Sequence, residues 1–289
     1  MYPSRFHYEA PRTLDEAFAV LQTYGDEAKI LAGGQSLIPL IKLRFAAPAC
    51  IVDINNIPGL EYHEEDSDGS LNIGALCRHR TLERSALLRS KFPVMFATAP
   101  LISDPMVRNR GTLVGSLCHA DPQGDWASVM LSLGGEIIAR NAEGGERAIP
   151  VSQFVIGPFQ NALQQGEIAV GARVPAARGT RTGTYLKLER RVGDFATVGV
   201  AINLEMSGGT INRAGIALTG VGSNNIQCTA AEQALAGKTL NASTIDQAAR
   251  LAAEASQPKS DVRGTAEYKR HVVYTFVQRG LSSPAARAA

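Results

Sequence analysis

Two glycine-centred turns, far apart in the chain, constrain this protein more than any other feature of its sequence. The first, residues 32–36, reads Ala-Gly-Gly-Gln-Ser, between a predicted strand and a predicted helix. The second, residues 112–116, reads Thr-Leu-Val-Gly-Ser and is followed by Asp-Pro-Gln-Gly-Asp at 121–125. Each turn can direct backbone N–H groups at an anion, and a glycine lets that anion come close. The two turns together predict one long, negatively charged ligand that is held twice, and a dinucleotide fits that description.

The composition is ordinary for a globular protein and gives no sign of a strongly basic surface. The 289 residues are 45% hydrophobic, with 29 Lys and Arg, 27 Asp and Glu, and a formal net charge of +2. This balance argues against a nucleic-acid patch or a polybasic membrane anchor. No run approaches the ~20 apolar residues that cross a bilayer. We therefore expect a cytoplasmic protein with no membrane span and no nucleic-acid partner.

The four cysteines do not form a metal-binding pattern. Cys50, Cys77, Cys118 and Cys228 are widely and irregularly spaced. No pair has the spacing of a zinc site, an iron–sulfur site or a thioredoxin-type motif. We expect reduced thiols and no metal site in this chain.

The first sixty residues are predicted to form a small β-α-β unit with the first glycine turn at its crest. Thr13 and Glu16 form a capping-box pattern at the start of a helix that ends at Gly25. A strand is expected over 28–32 and another over 50–54. Between them, Ser36 is predicted to cap a short helix that runs through Leu43.

The rest of the chain mixes helices and strands, and its pattern changes at residues 175–183, which we interpret as a boundary. Residues 61–70 are predicted to form a hairpin or a connection. Before the boundary we expect helices at 81–89, 92–101 and 126–133, an extended stretch at 111–117, and strands at 136–140 and 168–174. After it we expect strands at 185–189, 198–206 and 211–221, helices at 230–235, 244–254 and 266–280, and a frayed end at 282–289. Strands followed by helices indicate an α+β domain.

Two familiar nucleotide motifs fail in this chain. Gly220 and Gly222 begin like a Rossmann fingerprint, but Asn225 stands where the third glycine is required. Gly237-Lys238-Thr239 ends like a P-loop, but Glu232 occupies the position of its upstream glycine. A bound dinucleotide must therefore be held by another scheme.

Several residues near the turns have two interpretations that the sequence alone leaves open. Gly33 and Gly34 form either a plain turn or an anion cradle. Asp125 either caps a helix or accepts hydrogen bonds from a ribose. Lys187 alternates with apolar residues, so it either faces solvent or places a cation beside a flavin pyrimidine or a phosphate. Phe195 either packs in the core or covers an aromatic ring.

Three segments together resemble the FAD-binding medium subunit of molybdenum hydroxylases. They are residues 30–39 (Ile-Leu-Ala-Gly-Gly-Gln-Ser-Leu-Ile-Pro), residues 107–125 beginning Val-Arg-Asn-Arg-Gly-Thr, and residues 190–196 (Arg-Arg-Val-Gly-Asp-Phe-Ala). The group includes the flavoprotein subunits of carbon monoxide dehydrogenase and N-heteroaromatic dehydrogenases, and the middle part of xanthine dehydrogenase. The resemblance runs nearly end to end, and the order and spacing of the three segments make it specific.

The resemblance implies an α+β fold of the PCMH type. It implies an N-terminal β-α-β FAD-binding subdomain at 1–60, a second FAD-binding subdomain at 61–176, and a C-terminal domain at 177–289 with a three-stranded antiparallel sheet and helices. FAD would lie between the first two subdomains.

The resemblance also implies which residues hold FAD. Residues 31–38 with Gly115 and Ser116 would grip the diphosphate, Asp125 the ribose or a neighbouring group, and Lys187 and Phe195 would lie at the flavin ring. Ser103 and Ile168 would line the adenine or the ring. The full set of implied FAD-binding residues is Ile30, Leu31, Ala32, Gly33, Gly34, Gln35, Ser36, Leu37, Ile38, Ser103, Thr112, Gly115, Ser116, Asp125, Ile168, Lys187 and Phe195. No residue of this chain is expected to be catalytic toward the organic substrate.

The resemblance implies one subunit of a larger oxidoreductase. Electrons would come from a [2Fe–2S] small subunit, fed by a molybdopterin-containing large subunit, and would leave from FAD to an external acceptor. The implied assembly is a dimer of heterotrimers. The chain departs from many relatives at Gln35, Val114 and Phe195, where they carry His, Gly and Tyr. A stand-alone flavin oxidoreductase of similar fold and a cofactor-free scaffold are the alternatives.

Overall fold

The N-terminal part of the protein is a small parallel sheet that carries the first glycine turn. The structure is a computed structural model that describes residues 2–283. The elements of this part are β1 (His7–Glu9), α1 (Leu14–Tyr24), β2 (Ala28–Leu31), α2 (Leu37–Lys42) and β3 (Cys50–Asp53). The strand order is β1-β3-β2 and both pairings are parallel. The predicted β-α-β unit is confirmed, and strand β1 was missed because its three residues are polar and exposed.

The predicted helix starts are confirmed in position but differ in their hydrogen bonds. Thr13 accepts a hydrogen bond from the Glu16 amide, as expected of an N-cap. The Glu16 carboxylate accepts from the Arg12 amide, so the capping box is displaced by one residue. Ser36 occupies the N-cap position of α2, but its hydroxyl makes no capping hydrogen bond.

The middle part of the protein is built on a five-stranded antiparallel sheet in the order β4-β5-β10-β6-β7. Its strands are β4 (His63–Glu65), β5 (Leu71–Gly74), β6 (Glu136–Arg140), β7 (Glu146–Pro150) and β10 (Ile168–Val174). A two-stranded ribbon, β8 (Val155–Gly157) with β9 (Gln160–Asn161), lies between β7 and β10 in the chain. The predicted hairpin and the strands at 136–140 and 168–174 are confirmed, whereas β7, β8 and β9 were missed.

Helices fill the long stretch between β5 and β6. They are α3 (His79–Glu83), α4 (Ala86–Lys91), α5 (Pro93–Thr98), α6 (Pro105–Arg108), α7 (Leu113–His119) and α8 (Asp125–Leu133), and α9 (Val151–Phe154) follows β7. The single helix predicted at 81–89 is two helices, because Ser85 caps α4 by accepting from the Leu88 amide. The helix predicted at 92–101 is α5 followed by a 3-10 turn over Ala99–Leu101.

The prediction of an extended stretch at 111–117 is wrong. Helix α7 begins there, and Thr112 is its N-cap. The Thr112 hydroxyl accepts a hydrogen bond from the Gly115 amide at 3.0 Å, which fixes the first turn. Val114 and Gly115 both have modest helix propensity, so the capping interaction outweighs the local preference.

The C-terminal part is a four-stranded antiparallel sheet with three helices on one face. The elements are β11 (Thr180–Leu188), β12 (Val198–Ser207), β13 (Thr210–Thr219), β14 (Ile226–Gln227), α10 (Thr229–Leu235), α11 (Ala242–Ala255) and α12 (Ala266–Ser282). The three predicted strands are confirmed and β14 adds a short fourth one. The three predicted helices are also confirmed. The predicted frayed end begins at Ser282, where α12 ends, and residues 284–289 lie outside the described residues.

The C-terminal sheet is buried on both faces, which joins it firmly to the middle part. Val198, Val200 and Ile202 of β12 belong to the core that α10–α12 cover. Ala201 and Ala217 belong instead to the core shared with the middle part. Alternate residues of a strand point to opposite faces, so one strand serves two cores. Among the described residues, no helix is long and apolar enough to cross a membrane.

Gly215 tests this packing, because a Cβ there would lie 1.8 Å from the carbonyl oxygen of Ser132 in α8. We expect Gly215→Ala to lower the free energy of unfolding by about 1–3 kcal/mol through overpacking. Gly145→Ala is the matched control, because a Cβ there meets only the flexible Asn141 side chain in an exposed hairpin. Urea unfolding measures both variants, and equal midpoints would contradict the close packing.

Candidate functional site

The two glycine segments, one after strand β2 and the other at the start of helix α7, touch each other. We call residues 32–36 the first glycine segment and residues 110–116 the second. A Cβ at Gly33 would lie 2.4 Å from the carbonyl oxygen of Arg110 and 2.6 Å from the Cα of Gly111. Gly34 has a φ of +74°, a conformation that glycine adopts without strain. Glycine is therefore required at 33 by contact and at 34 by conformation.

The first glycine segment presents unpaired backbone donors. Within residues 2–283, the N–H groups of Gln35, Ser36 and Leu37 have no acceptor, whereas the Ile38 amide donates to the Gly34 carbonyl. Consecutive amides of this kind form the concave donor sets that bind phosphate oxygens. The interpretation as an anion cradle therefore gains support over that of a plain turn.

The second glycine segment is arranged differently from the expectation. Its Gly115 amide donates to Thr112 Oγ1, and its Ser116 amide donates to the Thr112 carbonyl. These two amides are committed to helix α7. The segment lies close to the start of α8, since the Ser116 hydroxyl oxygen is 3.7 Å from where a Cβ of Gly124 would be. The second segment therefore offers a ligand hydroxyl groups and a close-fitting backbone, and not the free amides of Gly115 and Ser116.

Asp125 and Lys187 form a buried ion pair that joins α8 to β11. Lys187 Nζ lies 3.0 Å from Asp125 Oδ2, and the two side chains are 2% and 7% exposed. The Tyr185 hydroxyl donates to Asp125 Oδ1 at 2.6 Å. Gly124, not Asp125, is the N-cap of α8. The interpretations of Lys187 as solvent-facing and of Asp125 as a helix cap are therefore both wrong, and the ribose contact of Asp125 stays a prediction.

The Lys187 ammonium makes two hydrogen bonds and one longer ion pair within the protein. Besides Asp125, it donates to the Leu101 carbonyl at 2.9 Å and lies 3.4 Å from Glu189 Oε2. Burial raises the pKa of Asp125, and the Lys187 charge and the Tyr185 hydrogen bond oppose that rise. An ammonium has three donors, so Lys187 acts by holding the Leu101 backbone and two carboxylates together.

Phe195 lies in the exposed loop that follows β11. Its side chain is 50% exposed, so the core interpretation is wrong. Its carbonyl accepts from Arg263 Nη1 at 3.1 Å. In the same loop, a Cβ at Gly193 would lie 3.0 Å from the Ser103 carbonyl. Ser103 itself has a φ of +45°, which is strained for a residue with a Cβ.

The remaining predicted residues are placed less distinctively. Ile30 and Leu31 end strand β2, Ala32 follows it, and all three are half-buried. Ile38 lies in α2 and is 45% exposed. Ile168 is 2% exposed within β10, where it is paired with Arg140 of β6. The structure thus brings together Gly33 with the second glycine segment, Asp125 with Lys187, and Ser103 with the Phe195 loop.

Three side chains beside these contacts had no predicted role. Tyr185 had a usable signal, because Tyr185, Lys187 and Glu189 alternate and so share one face of the strand. Arg78 and Asn55 had none, because the contacts that connect them to each other and to the glycine segments are with residues remote in the chain. The buried His79, next to Arg78 in the chain, also had no predicted role. It accepts from Trp126 Nε1 at 3.1 Å, and burial lowers the pKa of His79 to about 3, so the ring is neutral.

Comparisons with known proteins identify the class to which this fold and site belong. Residues 4–177 match the family model for the FAD binding domain in molybdopterin dehydrogenase. Residues 183–283 match the model for the CO dehydrogenase flavoprotein C-terminal domain. The chain therefore belongs to the FAD-binding medium subunits of the molybdenum hydroxylases, which are oxidoreductases, and its cofactor is FAD.

Individual relatives match over their whole length. The carbon monoxide dehydrogenase medium chain of Hydrogenophaga pseudoflava is 37% identical, with 100% of both chains covered. Subunit alpha of the 6-hydroxypseudooxynicotine dehydrogenase complex of Paenarthrobacter nicotinovorans is also 37% identical, over 100% of this chain and 97% of its own. A solved carbon monoxide dehydrogenase from Hydrogenophaga pseudoflava, which lacks the Mo-pyranopterin moiety, superposes with a TM-score of 0.93 at 38% identity, covering 100% of this chain and 99% of that one.

The residues present fit FAD. The cofactor has a diphosphate, and the first glycine segment with the adjoining Leu37 offers it three unpaired amides, on a backbone free of side chains at Gly33 and Gly34. The flavin is an aromatic ring system with hydrogen-bonding edges. The half-exposed Phe195 and the strained Ser103 lie in neighbouring loops, which would offer it an aromatic side chain and backbone polar groups. The chemistry of these donors suits an anionic, partly aromatic ligand.

We expect Lys187→Met to lower the free energy of unfolding by about 3 kcal/mol at neutral pH, because it leaves a buried carboxylate without its cation. Without the ammonium, burial raises the pKa of Asp125 further. A folded-state pKa above the unfolded value favours folding while the group is protonated, and that stability is lost as pH rises through the folded pKa. The loss of unfolding free energy in Lys187→Met, relative to wild type, should therefore be small at acidic pH and grow toward neutral pH.

Urea unfolding at acidic and neutral pH measures this dependence. The double variant Lys187→Met with Asp125→Asn removes the buried charge, so it should recover part of the loss at neutral pH. A deficit of equal size at both pH values would contradict the assigned role of Asp125.

Proposed function

We propose that this chain is an electron relay, in which FAD lies between the first two subdomains, is held by both glycine segments, accepts electrons from the [2Fe–2S] clusters of a partner subunit and passes them to an external acceptor. The contact of Gly33 with Arg110 and Gly111 carries this proposal. It joins the amide-rich turn after β2 to the loop just before helix α7, which is what a ligand with a long anionic centre requires.

The proposed division of the chain follows its sheets. Residues 1–60 form the first FAD-binding subdomain, residues 61–176 the second, and residues 177–289 the C-terminal domain. The diphosphate binds at 31–38 with Gly115 and Ser116. The flavin ring lies toward Lys187, Ser103 and Phe195, because the C-terminal loop and the strained serine meet there.

The proposed partners follow from the names of the relatives. They are named a medium chain and a complex subunit, which supports a multi-subunit assembly. We propose an iron–sulfur small subunit and a molybdopterin-containing large subunit, assembled as a dimer of heterotrimers in the cytoplasm. FAD would supply a two-electron store between one-electron iron–sulfur chemistry and the acceptor, and this chain supplies its position and electrostatic surroundings.

The diphosphate cradle is tested by Gly34→Val. A side chain there would press on Leu31 Cδ1 and Ile38 Cγ1, at 3.0 and 3.1 Å, and would force a β-branched residue to adopt a φ of +74°. We expect the cradle to distort and the FAD content to fall at least about tenfold. The measurement is flavin content after purification and a fluorescence titration of the apo form with FAD.

Gly144→Val is the matched control for backbone strain. Gly144 has a similar φ of +80°, and open space surrounds its Cβ position in a hairpin remote from the glycine segments. Both variants should lose similar thermal stability, and only Gly34→Val should lose FAD. Equal FAD content in the two variants would overturn the cradle.

The relay itself is tested by comparing the chain alone with its assembly. The tagged chain, expressed in its own host, should be yellow and should retain two further chains, one with iron–sulfur absorbance. Separated from them, it should keep FAD but lose dehydrogenase turnover. Turnover by the isolated chain would instead favour a stand-alone flavin oxidoreductase, and a colourless wild-type chain that takes up no FAD would favour a scaffold.

A further inference from the structure

The contact of the two glycine segments at Gly33 is made by backbone atoms. Gly33 meets the carbonyl of Arg110 and the Cα of Gly111, so the approach is backbone against backbone. Neither segment lies in a named strand, so no strand pairing between them sets their separation. Some other interaction must fix the distance between them.

Arg78 spans the two sides. It lies just before α3, and its backbone forms an isolated antiparallel bridge with Thr112 of the second glycine segment. Its Nη1 donates to the Arg110 carbonyl at 2.6 Å, on the same segment. Its Nη2 donates at 2.5 Å to the Oδ1 of Asn55, which lies in the 3-10 turn directly after β3 of the N-terminal sheet. One guanidinium thus bonds to both sides.

Asn55 continues the connection to the first glycine segment. Its side-chain amide donates to the Ala32 carbonyl at 2.8 Å, immediately before Gly33. The same amide and the Asn55 backbone donate to Asp53 Oδ1. Tyr8 donates to the other Asp53 oxygen at 2.6 Å. The contacts with Asp53 of β3, which Tyr8 of β1 also holds, therefore fix the orientation of Asn55 toward Arg78.

We propose that Arg78 and Asn55 form a strap that sets the spacing of the two glycine segments and so makes both residues positioning residues for the diphosphate of FAD. This inference rests on the proposed FAD site. The Ala32 and Arg110 carbonyls, which the strap holds, flank the contact between Gly33 and Gly111. A planar guanidinium can bond to two acceptors in fixed directions, whereas a lysine ammonium is a flexible point charge.

A direct role for the Arg78 charge is the competing explanation, and Lys separates the two. Arg78→Lys keeps the charge but loses the planar two-sided bridge, and Arg78→Met loses both. If the strap acts by spacing, the two variants should weaken FAD binding similarly, by about tenfold, which is the size expected for losing a charged hydrogen bond. Asn55→Ala should have the same effect from the other side of the contact.

The experiment titrates apo-protein with FAD and, separately, with ADP, which shares the diphosphate but lacks the flavin. Both ligands should lose affinity by a similar factor in all three variants. The double variant Asn55→Ala with Arg78→Met should bind as weakly as each single variant, because both belong to one strap. The visible circular dichroism of bound flavin should also change, which a general loss of stability would not produce.

Arg80→Met is the matched control. Arg80 lies two residues further along, in α3, and its ion pair with Glu83 at 2.8 Å stays within that region. It should bind FAD and ADP as the wild type does. The thermal midpoint of each apo variant is measured alongside, so that loss of fold is recognised and the Asn55 variant can stand in for Arg78.

Three results would decide against the strap. Wild-type affinity for FAD and ADP in Arg78→Met would overturn it alone. Full rescue by Arg78→Lys would show that charge acts instead of spacing. Additive losses in the double variant would show that the two residues act separately. Failure of the wild-type chain to bind any FAD would be different, because it would overturn the proposed function itself.

Discussion

The approach of Gly33 to the backbone at 110–111 is the constraint on which the rest of the proposed site depends. A Cβ at Gly33 would overlap the Arg110 carbonyl, so the two segments can meet only if glycine is there. Because one segment follows β2 of the N-terminal part and the other begins helix α7 of the middle part, the proposed site exists only when these two parts are folded against each other.

Buried polar contacts connect the C-terminal sheet to the elements around the proposed site. The Lys187–Asp125 pair crosses from β11 to α8, and Lys187 also holds the Leu101 carbonyl next to the strained Ser103. Buried charges are retained only where a partner compensates the loss of hydration. This pair therefore fixes the orientation of the C-terminal domain against the turn that begins α8.

The loop that failed as a Rossmann fingerprint has a structural role at the same junction. The Gly220 amide donates to the Pro122 carbonyl at 3.1 Å, and Asn225 donates to the Gly124 carbonyl at 3.1 Å. Gly220 has a φ of +76°, and a Cβ there would lie 2.8 Å from the Ala196 carbonyl. The close approach of Gly220 to the Ala196 backbone therefore explains why glycine is found there. The loop also holds the residues just before Asp125 through its hydrogen bonds to the Pro122 and Gly124 carbonyls.

The sequence by itself determined the elements with strong local signals. These include the β-α-β unit, the strands 136–140 and 168–174, the C-terminal order of strands and helices, and the glycine turn at 32–36. Periodicity and capping act between near neighbours in the chain, so they are legible without the fold. The three resembling segments also sufficed to indicate FAD and the family.

Only the tertiary structure decided which residues act together. Lys187 alternates like a surface residue, yet it is buried because α8 brings Asp125 onto the same face of β11. Thr112 converts a stretch of β-like sequence into a helix start, and Arg78 and Asn55 join segments that no local pattern connects. These roles come from contacts across long separations in the chain, whose energies depend on burial and geometry that local sequence patterns do not encode.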